Sequence, residues 1–350
     1  MKDLAQVAQR LKQRVRISQE NSYLSLEQTS AFAFSRTSTQ QIEAALRLKN
    51  ALIEEFKNIE LSEVFSTRLV QTELGTFCQI SHEEKIELAT FDPAFAQTMI
   101  ESELKLLYGV GPALEQSLRA RGVSKLSDLA HHPRWGQEVQ RILDALQARD
   151  LKQLENQLAR WLPRSHPTAM RLAHMIEPGS LLFFDLESMG LFGHPIILLG
   201  VARPHQHGIT VHQYLARNIT EELPALMHTF GQLNSAQAIV SYNGRAFDIN
   251  YVKDRLNYYG IAGNFEPVHF DLLTHARKRF RSYLEDARLE TVEREILRRE
   301  RSMDLPSMLV PEFYNTYLEE KNIGPLIPIL EHNRQDLISL TLLFSKLCEP

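Results

Sequence analysis

The chain has 350 residues, of which 43% are hydrophobic and 23% charged, and its formal net charge is −4. At roughly 150 residues per domain this is room for two or three folded units, and so much apolar side chain excludes disorder throughout. The near balance of 39 basic and 43 acidic residues excludes a wholesale polycation, yet leaves room for a local basic groove.

In chain order, residues 1–20 predict a polar helix, because Leu4, Val7, Leu11 and Val15 recur at three- and four-residue steps. Residues 21–40, rich in Ser, Thr and Gln, predict a linker or loosely docked arm. The helical pattern returns at 41–57. The stretch RLVQTELGTFCQISHEEKIELATF then predicts a hairpin or meander, which makes 41–97 a small α+β segment. Residues 98–165 predict helices broken at YGVGP, RGVSK and HHPRW. WLPRSHP (161–167), with two prolines and no periodicity, closes this region as a linker.

The texture changes from Pro178. LLFFDLE reads as a short buried strand, and PIILLGVARP and GITVHQYLAR as two more. A helix (221–234), a buried strand (237–243), a helix (247–259) and a long terminal helix (about 326–347) follow. Strands paired first and then alternating with helices predict an α/β layered domain at 178–350, with a smaller, mainly helical N-terminal region. Cys78 and Cys348 are too few for a disulfide scaffold or a Cys-rich zinc site, and read as reduced thiols of a cytoplasmic protein. A start that is charged at intervals predicts no secretory leader, and no apolar run approaches the length of a membrane span.

Asp185 and Glu187 lie two apart in LLFFDLES and so share one face of a strand. Two carboxylates there are costly to bury unless a cation pairs with them, although alone the pair is a weak signal that a solvent-facing strand end explains more readily. Asp248, in SYNGRAFD, follows the turn marked by Asn243 and Gly244. Alone it reads as an acid in a first helical turn. His332 and Asp336, four apart in LEHNRQDLISL, share a helix face that Leu337, Ile338, Leu340 and Leu342 leave little polar room. Asp271 in VHFDLL and Asp304 in RSMDLP are expected to be structural or to sit behind this set.

Taken together, a D-x-E strand, an N-x-x-x-F-D turn and an H-x-x-x-D helix resemble the DEDD (DnaQ-like) superfamily of 3′–5′ exonucleases. The resemblance is to its YprB-type ribonuclease H-like branch and covers about 178–350. VHFDLLTHARKRF, LETVEREIL, RSMDLPSMLVPEFYNTYL and EHNRQDLISL support it. One departure is the spacing: three residues separate His332 from Asp336, where the best-known histidine-bearing members have four. The resemblance implies a ribonuclease H-like mixed sheet flanked by helices and a two-metal Mg²⁺ or Mn²⁺ site. In it Asp185, Glu187, Asp248 and Asp336 would be ligands and His332 the general base. Hard oxygen donors suit such cations, and two cations can clamp both oxygens of an in-line displacement. It also implies DNA as substrate, a repair or processing role, and a helicase partner. RNA cleavage on the same fold, or nucleic-acid binding by a degenerate site, are the other readings.

LKLLYGVGPALEQSLRARGVSKLSDLA (104–130) resembles a helix-hairpin-helix module. Gly109 and Gly111 would relax the turn, and its N–H groups would face a phosphate. Arg119, Arg121 and Lys125 would add backbone contacts. Arg277, Lys278, Arg279 and Arg281 in HARKRFRSY predict a basic approach, with Arg277 and Arg281 on one face. Tyr242 and Phe247, flanking the 243–248 turn, are candidates to stack on a terminal base.

Overall fold

The computed structural model describes residues 39–349 except 264, 302 and 304. The helix expected at 1–20 and the linker expected at 21–40 therefore lie outside the described residues, apart from the start of helix α1, Thr39–Glu55. Asp304 lies outside them too.

A seven-stranded mixed sheet has the order β1-β2-β5-β4-β3-β6-β7. Its strands are Thr67–Thr72, Gly75–Glu84, Leu181–Ser188, Ile196–His205, Gly208–Leu215, Ala238–Ser241 and Val268–Asp271, β1 to β7 in chain order. β6 runs parallel to both β3 and β7, and the other pairs are antiparallel. The hairpin expected in the 41–97 segment forms as β1 and β2. It is not a separate unit, because β2 pairs along β5 from Cys78↔Leu215 to Glu84↔Ile209. The reason is that β2 is apolar on both faces: Phe77 is buried in one core, and Cys78 and Ile80 in another.

The helical region contributes α2 (Pro93–Glu101), α3 (Pro112–Ala120), α4 (Gly136–Ala148) and α5 (Leu151–Trp161). The linker expected at 161–167 is instead a packed turn. Leu162 is buried and Pro167 opens the short helix Pro167–Arg171. Met170, Leu172 and Met175 then join the same core as Phe183 and Phe344. Arg171 and His174 both donate to the Cys348 carbonyl, tying this region to the end of the chain. A proline at the first helical position fixes the turn and needs no spacer.

The sheet is covered on both faces. On one, Leu182, Phe184 and Ile239 pack against α6 (Glu222–Ser235) and α7 (Asp248–Tyr258). On the other, Leu181, Phe183, Ala202 and Val240 pack against Leu337, Leu340, Phe344 and Leu347. These belong to the terminal helix, here α10 (Leu326–Cys348). α8 (Leu272–Arg279) and α9 (Val310–Glu320) complete the layers. The N-terminal half of α10 covers Leu198 and Leu215. Among the described residues no helix is long and apolar enough to cross a membrane.

Candidate active site

Side chains alternate across a strand, so the row Leu181, Phe183 that faces α10 continues as Asp185, Glu187. Apolar packing of the row's first half thus aims its second half at the middle of α10. There the helix presents His332, Asn333 and Asp336. His332 Nε2 lies 3.9 Å from Glu187 Oε1 and 3.6 Å from Asp336 Oδ2. The pairing register shifts at Glu187/Ser188, one pair before the ladder closes at Ser188↔Ile196 beside the site.

Asn333, fully buried, donates from Nδ2 to Asp185 Oδ2 at 2.8 Å and accepts from Gln213 Nε2 at 2.9 Å. Gly200 lies between Asp185 and Gln213 in the sheet register. A Cβ on Gly200 would stand 2.2 Å from Asn333 Oδ1, so only glycine lets the helix side chain reach the strand. Nothing singled out Asn333 in the sequence. A lone glycine inside IILLGVARP was its available signal.

Asp248 opens α7 after a loop that Asn243 enters with φ 63°. Asp271 braces this loop: its carboxylate accepts from the backbone N–H groups of Asn243 and Arg245, and it also caps α8 through Leu273 N–H. A Cβ on Gly244 would meet Ser241 Oγ at 2.3 Å and Asp248 Oδ2 at 3.0 Å. Ser241 Oγ in turn bonds His269 Nε2 at 2.7 Å.

The carboxylates repel one another in a poorly solvated space. Burial raises Asp185 well above the carboxylate range, and Asp336, Asp248 and Glu187 raise it further against the Asn333 hydrogen bond. Glu187 is pushed up to about 7, by burial first and then by Asp336 and Asp248, while His332 and Arg301 oppose the shift. Asp248 is likewise pushed up to about 7, by burial and then by Asp271 and Asp336, against its own backbone hydrogen bond and one from Leu186. Asp185 and Asp248 are still half-buried by solvent contact, so the site has an open mouth.

A guanidinium answers this charge. Arg301, first residue of the RSMDLP segment but given no role there, enters from the irregular segment after the turn Glu293–Leu297. It donates twice to Glu293, at 2.6 and 3.0 Å, to His332 Nδ1 at 3.1 Å, and to Asp336 Oδ1. Because guanidinium only donates, Nδ1 of His332 accepts, and a neutral ring carries its proton on Nε2, toward Glu187 and Asp336.

Among the described residues no three His, Cys, Asp or Glu side chains close on a common point as a cage for a metal ion. The donor chemistry nevertheless fits one: hard oxygens from β3, α7 and α10 hold more negative charge than a single guanidinium balances.

At the mouth, Phe192 and Phe247 are each 48% exposed, with rings 6.3 Å apart and only 8° from parallel, and Phe192 also stacks on Tyr251. Tyr242, by contrast, packs against the core and donates its hydroxyl to the Ala287 carbonyl, so it is not a stacking surface.

The hairpin expected to grip phosphate is shaped by Gly109, with φ 74°, whereas Gly111 has φ −90° and ψ 178°, extended backbone that needs no glycine. Arg119 is engaged internally, by Glu115 and by the carbonyls of Ser102 and Ser124. Arg121 and Lys125 are exposed. Arg277 is exposed near the end of α8, but the helix stops at Arg279, so Arg281 lies beyond it and does not share its face. Arg279 instead donates to the Leu347 and Glu349 carbonyls.

Residues 182–348 match the RNase_H superfamily. Over 170 residues the chain is 36% identical to the uncharacterized protein YprB of Bacillus subtilis (strain 168), covering 47% of this chain and 41% of that one. The chain thus spans less than half the length of that relative. Two solved structures are similar at lower levels. The family B DNA polymerase of Pyrobaculum calidifontis is 17% identical, with a TM-score of 0.39, over 47% of this chain and 24% of that one. E. coli Exonuclease I in complex with a dT13 oligonucleotide is 14% identical, with a TM-score of 0.29, over 44% of this chain and 45% of that one. The superfamily match and the mixed, helix-flanked sheet agree: the α/β domain has the RNase H-like fold.

Proposed function

We propose that the RNase H-like domain is a divalent-cation-dependent nuclease that removes nucleotides from the 3′ end of DNA. The observation that carries this reading is a buried acidic centre: His332 lies 3.9 Å from Glu187 and 3.6 Å from Asp336, and burial first, with repulsion from neighbouring carboxylates behind it, lifts Glu187 and Asp248 to about 7. Asp185, Glu187, Asp248 and Asp336 would hold Mg²⁺ or Mn²⁺. When bound, the cations neutralise the phosphodiester's charge and acidify the attacking water.

The chain's own residues do the rest. Asn333 fixes Asp185 through its hydrogen bond, and Asp271 fixes the loop that carries Asp248. His332 is the group placed to move a proton between the attacking water and bulk solvent. Its Nε2 can take a proton only when Arg301 no longer claims the lone pair of Nδ1. The exposed rings of Phe192 and Phe247 offer a face for the terminal base. Arg121 and Lys125 would hold the backbone further along, without reading sequence.

The test is incubation of the purified chain with 5′-labelled single-stranded DNA, duplex DNA and RNA, with and without Mn²⁺. A ladder shortening from the 3′ end on DNA, absent without cation and absent in Asp248→Asn, is expected. Internal cuts, or no cuts with cation present, overturn the proposal, and stronger cleavage of RNA moves the substrate assignment.

A further inference from the structure

We infer that Arg301 is a built-in competitor of the divalent cation: it closes the acidic centre by occupying Asp336 and His332, and has to leave before Asp336 can serve as a ligand. This rests on the nuclease reading above.

The geometry is specific. The Arg301 side chain is 8% exposed, and all three guanidinium nitrogens are engaged. Asp336 gives Oδ1 to Arg301, while its Oδ2 faces His332 at 3.6 Å. The hydrogen bonds of Arg301 go to Glu293, His332 and Asp336, and none goes to Asp185, Glu187 or Asp248. Burial works against the guanidinium's charge, but Asp336 and Glu293 outweigh it and hold the group firmly protonated. Glu293, itself buried, takes two of the hydrogen bonds and gives Arg301 a resting partner outside the four-carboxylate set.

Two consequences follow from charge alone. A cation that binds Asp336 meets a like charge unless the guanidinium withdraws toward Glu293, so removing that charge should tighten cation binding. Without either cation, the buried carboxylates lose a strong partner, which is strongly destabilising. A residue that merely held the fold would show the second effect and not the first.

The experiment is titration of the full chain with Mn²⁺ by calorimetry, beside melting in EDTA and in Mn²⁺, for wild type, Arg301→Lys, Arg301→Gln and the double variant Arg301→Gln/Glu293→Gln. The double variant removes the buried pair together and covers the case in which Arg301→Gln alone does not fold. Either Gln variant should bind Mn²⁺ about tenfold or more tightly than wild type, while Arg301→Lys, which keeps the charge, stays within about threefold. Arg301→Gln should also melt lower in EDTA and gain more on adding Mn²⁺. If wild type binds Mn²⁺ and the Gln variants bind it equally or more weakly, this inference falls and the nuclease reading stands. If neither wild type nor the Gln variants bind Mn²⁺, both fall.

Discussion

At the scale of single residues, the site is a problem of accommodating charge, and the substitutions divide by whether they remove charge or room. Asp185→Asn and Asp248→Asn should abolish cleavage. Each also relieves a buried like charge, so the metal-free protein should be as stable as wild type or more so. Activity near wild type in either variant would remove that residue from the site. Gly200→Ala takes away room instead. Its methyl would sit 2.2 Å from Asn333 Oδ1 and force Asn333 off Asp185. A loss of about 1–3 kcal/mol on chemical denaturation is expected, with slower cleavage, and an unchanged midpoint would show that the helix gives way freely. His332→Ala should slow cleavage by roughly 10²–10⁴-fold while the cations still bind, and recover in part as pH rises. A normal rate at pH 7 would end that role.

At the scale of elements, the loop between β6 and α7 depends on what lies under it. His269 on β7 supports Ser241, and burial, helped by Arg245 and other cations, depresses its pKa to about 3. His275 on α8 is depressed to about 4, again mainly by burial. Both stay neutral in the folded chain and take up protons on unfolding below ~6.5. Their contribution is therefore complete above pH 6.5 and is lost as pH falls toward 4, at up to ~1.4 kcal/mol per pH unit for each histidine. The raised carboxylates act in the opposite sense over part of this range, so the comparison needs a variant. His269→Gln should flatten the decline of melting temperature between pH 6.5 and 4.5, and a slope equal to that of wild type would mean His269 titrates normally.

At the scale of the whole molecule, the helical region and the sheet are not separable pieces. Leu106, Leu118 and Val139 share one continuous core with Phe183 and Phe344, so deleting 98–135 would expose the sheet and report on folding, not on binding. Surface charge is the usable probe. Arg121→Glu with Lys125→Glu leaves the buried residues alone and should weaken DNA binding independently of sequence. It should also lower the steepness of the salt dependence by about one for each phosphate that is no longer neutralised. An unchanged dissociation constant across salt would assign this surface to another partner.

The sequence alone determined the α/β class and most strands and helices of 181–259 with the terminal helix, though not β7 at Val268–Asp271, and it proposed Asp185, Glu187, Asp248, His332 and Asp336 as one set. The first two follow from periodicity, which is local. The set follows from a resemblance carried by short, ordered motifs. Only the tertiary structure decided what stands between and behind these groups. Arg301 reaches Asp336 across 35 positions of chain, and Asn333 reaches Asp185 across 148. Gly200 matters because of a helix that packs over it, and β2 joins the sheet because both its faces find cores. Arg119 makes the same point: a basic residue's sequence neighbours do not show which hydrogen bonds it makes within the fold. Pairings between distant segments leave no periodic trace, because their geometry is set by packing and not by spacing along the chain.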